Sequence, residues 1–201
     1  GAAMCAHLPN RGAVEQKRQG RLWLCASADR SHHNRRYRVA AEGWIAGGGL
    51  REALDPQATI EGHYVLARHD KTSGELTLYR SLSGGERLYV TRVDDVVLFA
   101  SSVRPLLAHP GMTPHLNERV LDEVLLCGLP MFGTETLHAG IHEVMPGHAL
   151  TLGDTMGRQR WQALDVLRSP VGSPHELAKA FRERLTEAVV ASAGNDRPVA
   201  V

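Results

Sequence analysis

The sequence predicts an α+β fold of antiparallel sheets in stacked layers, with helices on the outside. Three observations carry that expectation. Strand-like segments between Arg21 and Ser101 are joined by short turns, capped amphipathic helices follow them, and 201 residues suit one substantial domain plus part of another.

Arg21–Ala26 and Tyr37–Ile45 carry the β-branched and aromatic residues that suit a pleated surface. Gly47-Gly48-Gly49 breaks the pattern, and Leu50–Leu54 is long enough only for a helical turn, closed by Asp55-Pro56. His63–Arg68 leads through Lys71-Thr72-Ser73-Gly74 into Glu75–Arg80, which alternates polar and apolar residues as a strand with one buried face should. Ser83-Gly84-Gly85 precedes Arg87–Thr91, and Asp94-Asp95 precedes Val96–Ala100; connections this short make neighbours antiparallel.

Helices enter after Ser101. Asn117 caps a segment running to about Cys127, with Val120, Leu121, Val124 and Leu125 on its apolar face and Gly128 as its stop. Gly128–Gly147 reads as irregular, and His148–Leu152 as a strand turning at Gly153-Asp154. Ser173-Pro174-His175-Glu176 is a capping box with proline at the first helical position. It opens a helix whose stripe is Leu177, Phe181, Leu185, Ala188 and Val189, ended by Gly194-Asn195. Pro198–Val201 reads as a strand cut short, and Gly1–Ala3 as a cloning scar before a native Met4.

Hydrophobic residues make up 43% and charged residues 22%, and the formal net charge is +1, a balance that favours neither nucleic acid nor an acidic membrane surface. Arg30, Arg35, Arg36 and Arg38 crowd around His32 and His33; a solvated hairpin edge explains them more simply than an anion site. Cys5, Cys25 and Cys127 are odd in number and have no zinc-type spacing. With no export signal, they fit a reducing cytoplasm. No apolar run approaches the ~18 residues of a membrane helix. His7, His32, His33 and His63 are not paired with carboxylates at ligand spacing, so no metal is expected.

Several segments in register resemble the asparagine synthetase family over roughly residues 60–201. They are Gly62–Ala67 with Asp70 and Gly74-Glu75-Leu76, then Gly85–Tyr89, Leu98–Ala108, Thr136-Leu137 with Gly140-Ile141, Met145–His148, and Trp161. The resemblance implies a four-layer αββα sandwich of the amino-terminal-nucleophile (Ntn) hydrolase type, the class II glutamine amidotransferase domain. It also implies that 1–165 is this glutaminase-like domain, and that 166–201 is a linker helix with the first strand of an ATP-pyrophosphatase (synthetase) domain. ATP and Mg²⁺ would be bound by the rest of that second domain, through the serine-glycine-glycine pyrophosphate loop that in the family follows the strand resembled by Pro198–Val201, and no cofactor is expected in this portion.

In the family a cysteine after the initiator methionine attacks glutamine, with its own α-amine as base. By resemblance that nucleophile is Cys5, yet Ala6-His7 stand where the family has glycine and isoleucine. The family's glutamine-holding asparagine-glycine-glutamate corresponds by position to Glu42-Gly43-Trp44, and an indole cannot accept the hydrogen bonds that an ammonium or amide donates. The family's arginine-glycine-proline-aspartate segment has no counterpart between Cys5 and Val39, and its aspartate-bearing helix is missing between Leu54 and Gly62. These departures point to a lost glutaminase, with Cys25 and Cys127 as core thiols.

The leading expectation is a scaffold domain of an ATP-dependent amide ligase closest in design to the lasso-peptide (macrolactam) cyclases and β-lactam synthetases. These take the amine from the substrate itself. Its partners would be its own synthetase domain, a precursor peptide and a leader-processing protease. One alternative is a live glutaminase with Cys5 as nucleophile; another is a free-standing binding module. A serine-glycine-glycine loop encoded after Val201 would support the ligase, and a stop codon the module.

Overall fold

A computed structural model describes residues 14–19, 22–27, 31–46, 49–56, 58, 60–130, 133–152, 157–160 and 172–193; the strands at 14–19, 22–27 and 157–160 are described by backbone pairing alone. The expectations for Cys5, His7, Arg30, Gly153-Asp154, Gly194-Asn195 and Pro198–Val201 lie outside the described residues. The chain forms two compact units, Gly1–Gln162 and Ala163–Val201.

The fold is α+β with antiparallel sheets. In the first unit the strands are β1 Val14–Gln19, β2 Leu22–Ser27, β3 Ser31–His33, β4 Tyr37–Ile45, β5 Gly62–Asp70, β6 Leu76–Arg80, β7 Tyr89–Val93, β8 Val96–Ala100, β9 Ile141–Glu143, β10 His148–Leu152 and β11 Gly157–Arg160. A 3₁₀ helix spans Gly49–Leu54, and the α-helices are α1 Val103–Leu107 and α2 Glu118–Cys127. Among the described residues the six-stranded sheet runs β11-β10-β6-β5-β4-β3, a three-stranded sheet runs β8-β7-β9, and β1 pairs with β2.

Period-two alternation sends the larger sheet's side chains into two apolar layers. Ala40, Val65, Ala67, Leu76, Leu78 and Leu150 fill one layer, into which Val90 of β7 and Phe99 of β8 also pack, so it joins the two sheets. Val39, Tyr64, Leu66, Tyr79 and Ala149 fill the other, against Leu50, Ala53 and Leu54 of the 3₁₀ helix. The far face of the three-stranded sheet, with Tyr89, Val93, Leu98 and Ile141, packs on Val103, Leu106 and Leu107 of α1. Burying this apolar surface is the main stabilising term, and the matching register of the paired strands keeps each residue on its own layer.

Turn chemistry sets the hairpins. Asp70 Oδ1 accepts from Thr72 N at 2.8 Å, and Gly74 N donates to Asp70 O at 2.8 Å, fixing the β5–β6 turn. Asp94 takes φ +52 in the β7–β8 turn, a conformation that aspartate tolerates better than most residues.

Five expectations are corrected. The short connection through Ser83-Gly84-Gly85 does not make β6 and β7 neighbours: β6 pairs with β5 and β10, β7 with β8 and β9, and the chain crosses there from one sheet to the other. All five residues of β6 are buried: the strand is central, both faces are covered, and Thr77 and Arg80 are buried with polar partners. The segment Gly128–Gly147 holds β9, a strand too short to show a period. On α2 the caps stand as expected, Asn117 accepting from Val120 N and Gly128 ending the helix at φ +81, but Leu125 is 74% exposed while Val120 is buried. Cys127, expected in the core, is exposed because it sits at the last turn on the outward side of α2.

The buried polar residues include His69, at the far end of β5. Burial first, then the nearby Arg38 guanidinium, pushes its imidazole below the ordinary histidine value. The unfolded chain therefore binds more protons than the folded one between the two values, so stability rises with pH through that window. Its contribution should be complete above the unfolded value of about 6.5 and lost as pH falls below it. Urea midpoints measured across this range should slope downward toward acid, and the slope should shrink in His69→Gln; an unchanged slope counts against the assignment.

In the second unit, α3 spans Pro174–Ala193. Its capping box forms as expected: Ser173 N donates to Glu176 Oε2 at 2.8 Å and Glu176 N to Ser173 Oγ at 3.4 Å. Ser173 N, and Ser173 Oγ at 2.7 Å, both donate to the Glu176 carboxylate and hold it below its usual range. Phe181, Leu185 and Val189 of the expected stripe are exposed, as is Val190.

Candidate functional site

Glu42, Gly43 and Trp44, singled out above by resemblance, lie where β4 and β5 end together. Trp44 pairs with His63, Gly43 with Tyr64 and Glu42 with Val65. Alternation from Ala40 places Glu42 and Trp44 on the side facing the three-stranded sheet. The Trp44 and His63 rings stand 5.9 Å apart, tilted by 40°.

Two glycines make this rung possible. Gly43 has φ +101, and a Cβ there would lie 2.0 Å from His63 O and 2.7 Å from Glu86 Cγ. Gly62 has φ +141, and a Cβ there would lie 2.2 Å from Trp44 O. Each admits the opposing backbone at a distance no side chain tolerates.

The loop after β6 covers this end. Ser81 Oγ accepts from Tyr64 N at 3.0 Å, and Ser81 N donates to Tyr64 O at 2.9 Å, so the loop is stitched to β5. Arg80, 4% exposed, holds its shape: Nε donates to Glu86 O at 2.7 Å, one terminal nitrogen to Glu143 Oε1 at 2.6 Å and Val144 O at 2.7 Å, and the other to Gly84 O at 3.0 Å. Across the gap between the sheets, Ser101 at the end of β8 donates from Oγ to Glu42 Oε2 at 2.9 Å. One oxygen of that carboxylate is therefore already engaged.

Chemically, this end offers an indole, an exposed imidazole and the carboxylates of Glu42 and Glu86. The indole N–H only donates. Among the described residues no three histidine, cysteine, aspartate or glutamate side chains gather as metal ligands. Cys25 lies in β2, known by its backbone only, and His32 and His33 lie in β3. Arg35 and Arg36 are exposed in the β3–β4 hairpin, where Arg36 Nε pairs with Asp70 Oδ2 at 3.0 Å. No helix occupies the described residues between Leu54 and Gly62. Sequence reasoning missed Arg80, Glu86 and Ser101. Arg80 ends a strand before a Ser-Leu-Ser-Gly-Gly turn, a place where a long donor can reach several loop carbonyls, and that was the available signal.

Residues 53–162 match the family described as a glutamine amidotransferase domain. This chain belongs to that family. The matched span of this glutamine amidotransferase domain begins after β4, so Cys5 and Glu42–Trp44 lie upstream of it. Asparagine synthetase [glutamine-hydrolyzing] 3 of Bacillus subtilis (strain 168) is 26% identical over 107 residues, covering 53% of the domain's chain and 17% of its own. Asparagine synthetase [glutamine-hydrolyzing] 2 of the same organism is 25% identical over 143 residues, covering 65% and 19%. Amidase chyE of Penicillium rubens is 27% identical over 147 residues, covering 71% and 21%. The chain thus spans about a fifth of the length of these curated relatives. Among the described residues no helix is long and apolar enough to cross a membrane.

Proposed function

We propose that this amidotransferase domain is a glutaminase-inactive scaffold of an ATP-dependent, asparagine synthetase-like amide ligase, of the lasso-peptide cyclase design. The observation that carries the reading is Glu42-Gly43-Trp44. Trp44 packs on His63 in place of a side chain with acceptor oxygens, and Glu42 is tied to Ser101 across the sheets. A site that must hold an amino acid's ammonium and amide loses binding and discrimination together when such acceptors go. A ligase whose substrate brings its own amine has no need of them.

In this reading ATP and Mg²⁺ bind in a synthetase domain beyond these residues. There a side-chain carboxylate is activated and an internal α-amine attacks it. The domain walls one side of the peptide cavity, and its partners are that synthetase domain, a precursor peptide and a leader-processing protease in the cytoplasm. The four-layer αββα sandwich of the Ntn type belongs to the same proposal. The apolar layers between the sheets, under α1 and under the 3₁₀ helix support it.

The second reading, a live glutaminase with Cys5 as nucleophile, is favoured by the glutamine-hydrolysing activity named for both Bacillus relatives. Protein prepared to begin at Cys5 should release no more ammonia from glutamine than its Cys5→Ser variant. Release that depends on Cys5 would overturn the scaffold reading.

A further inference from the structure

At the other end of β5 lies a row of basic residues that the candidate site does not use. His33 of β3 pairs with Arg38 of β4, Arg38 pairs with His69 of β5, and His69 pairs with Leu76 of β6. Directly opposed residues of antiparallel strands share a face, so His33, Arg38 and His69 stand side by side. Alternation from Ala40 and Ala67 makes this the face of the inter-sheet layer. Exposure falls along the row: His33 is exposed, Arg38 half-buried and His69 only 5% exposed. The row therefore opens to solvent at the sheet edge and closes over His69.

Its hydrogen-bonding capacity is unspent. Among the described residues His69 Nδ1 is buried with no hydrogen-bond partner and the Arg38 guanidinium has no hydrogen bond or ion pair. The neighbouring charged groups are engaged elsewhere. Asp70 lies opposite Tyr37, on the other face by alternation, and accepts from Arg36 Nε and from the backbone of Thr72 and Ser73. Lys71 Nζ donates to Asn34 O, and Glu75 Oε1 accepts from Thr77 Oγ1. Leaving a buried ring nitrogen unpartnered is costly, and natural structures rarely do so without a ligand or water to meet it. An anionic oxygen group meets both needs: it accepts from the imidazole N–H and from the planar guanidinium fork.

We propose that His33, Arg38 and His69 form a binding site for a small oxyanion, a phosphate or carboxylate group. Arg38 supplies the charge, His69 the buried donor and His33 the solvent-side rim. The site is at the far end of the sheet from Trp44 and does not depend on the scaffold reading. A bound anion also favours the protonated imidazole, so the His69 titration should move upward when the site fills.

The test titrates inorganic phosphate into the 201-residue chain at constant ionic strength, with chloride as the replaced anion and histidine ring NMR as the readout. A parallel acetate titration tells a phosphate ligand from a carboxylate one, and saturation by either supports the site. The expected result is saturable shifts at His69 with an upward move of its titration. Binding should weaken by about tenfold or more in Arg38→Gln, since a charge-assisted bond is lost. Arg38 is half-buried, so this variant keeps the test intact should His69→Gln fail to fold. Shifts that track ionic strength alone, or an affinity unchanged in Arg38→Gln, would overturn the proposal.

Discussion

Replacing Arg80 by alanine is expected to destabilise the chain by about 3–5 kcal/mol, in the range found when a buried charge pair is broken from one side. The side chain is 4% exposed and donates to Glu143, Glu86 O, Val144 O and Gly84 O. Its removal strands three carbonyls and opens a void under the loop after β6. Glu143 is partly exposed and recovers some hydration, which holds the loss within that range. Arg80→Lys keeps the charge but not the fork, and should fall between the two. Urea unfolding of the three proteins decides it. A loss under about 1 kcal/mol in Arg80→Ala would mean the loop is held by something else.

Gly43→Ala should cost about 3 kcal/mol or more, combining a backbone conformation that alanine resists with a collision that cannot relax cheaply. The new methyl group would sit 2.0 Å from His63 O, so β4 and β5 must part where Gly43 faces Tyr64. Gly74→Ala is the control. Its φ is also positive, +77, but nothing lies within 4 Å of the added carbon. It should cost about 1–2 kcal/mol, the conformational part alone. Unfolding midpoints give the difference, and Trp44 fluorescence should change in Gly43→Ala only. Equal losses in both variants would remove the collision from the explanation.

Where local chemistry decided structure, the sequence was readable. Tyr37–Ile45, Val96–Ala100 and His148–Leu152 run between the expected residues because their apolar patterns end at turn formers. Asn117, Gly128 and the Ser173–Glu176 box behave as caps because capping is settled within one helical turn. What failed depended on residues far away. Nothing within Leu76–Arg80 reveals that a second sheet and the 3₁₀ helix cover its two faces, and nothing near Cys127 says which side of α2 meets the core. The candidate site was half legible. Resemblance located Glu42-Gly43-Trp44, but the Ser101 bond to Glu42 and the Arg80 anchor arise only when two sheets and a distant loop meet.

The strand order also bears on how a nascent chain matures. β6 gains one neighbour at once, from the hairpin with β5, but its other neighbour is β10, which emerges from the ribosome only after β7, β8, α1, α2 and β9. Until then Leu76, Leu78 and Tyr79 sit on a strand with an open edge, the kind of template that recruits other chains. The pairing of Leu78 with Leu150 must await closure of that long loop, an entropic cost that keeps the edge open for longer than a hairpin would.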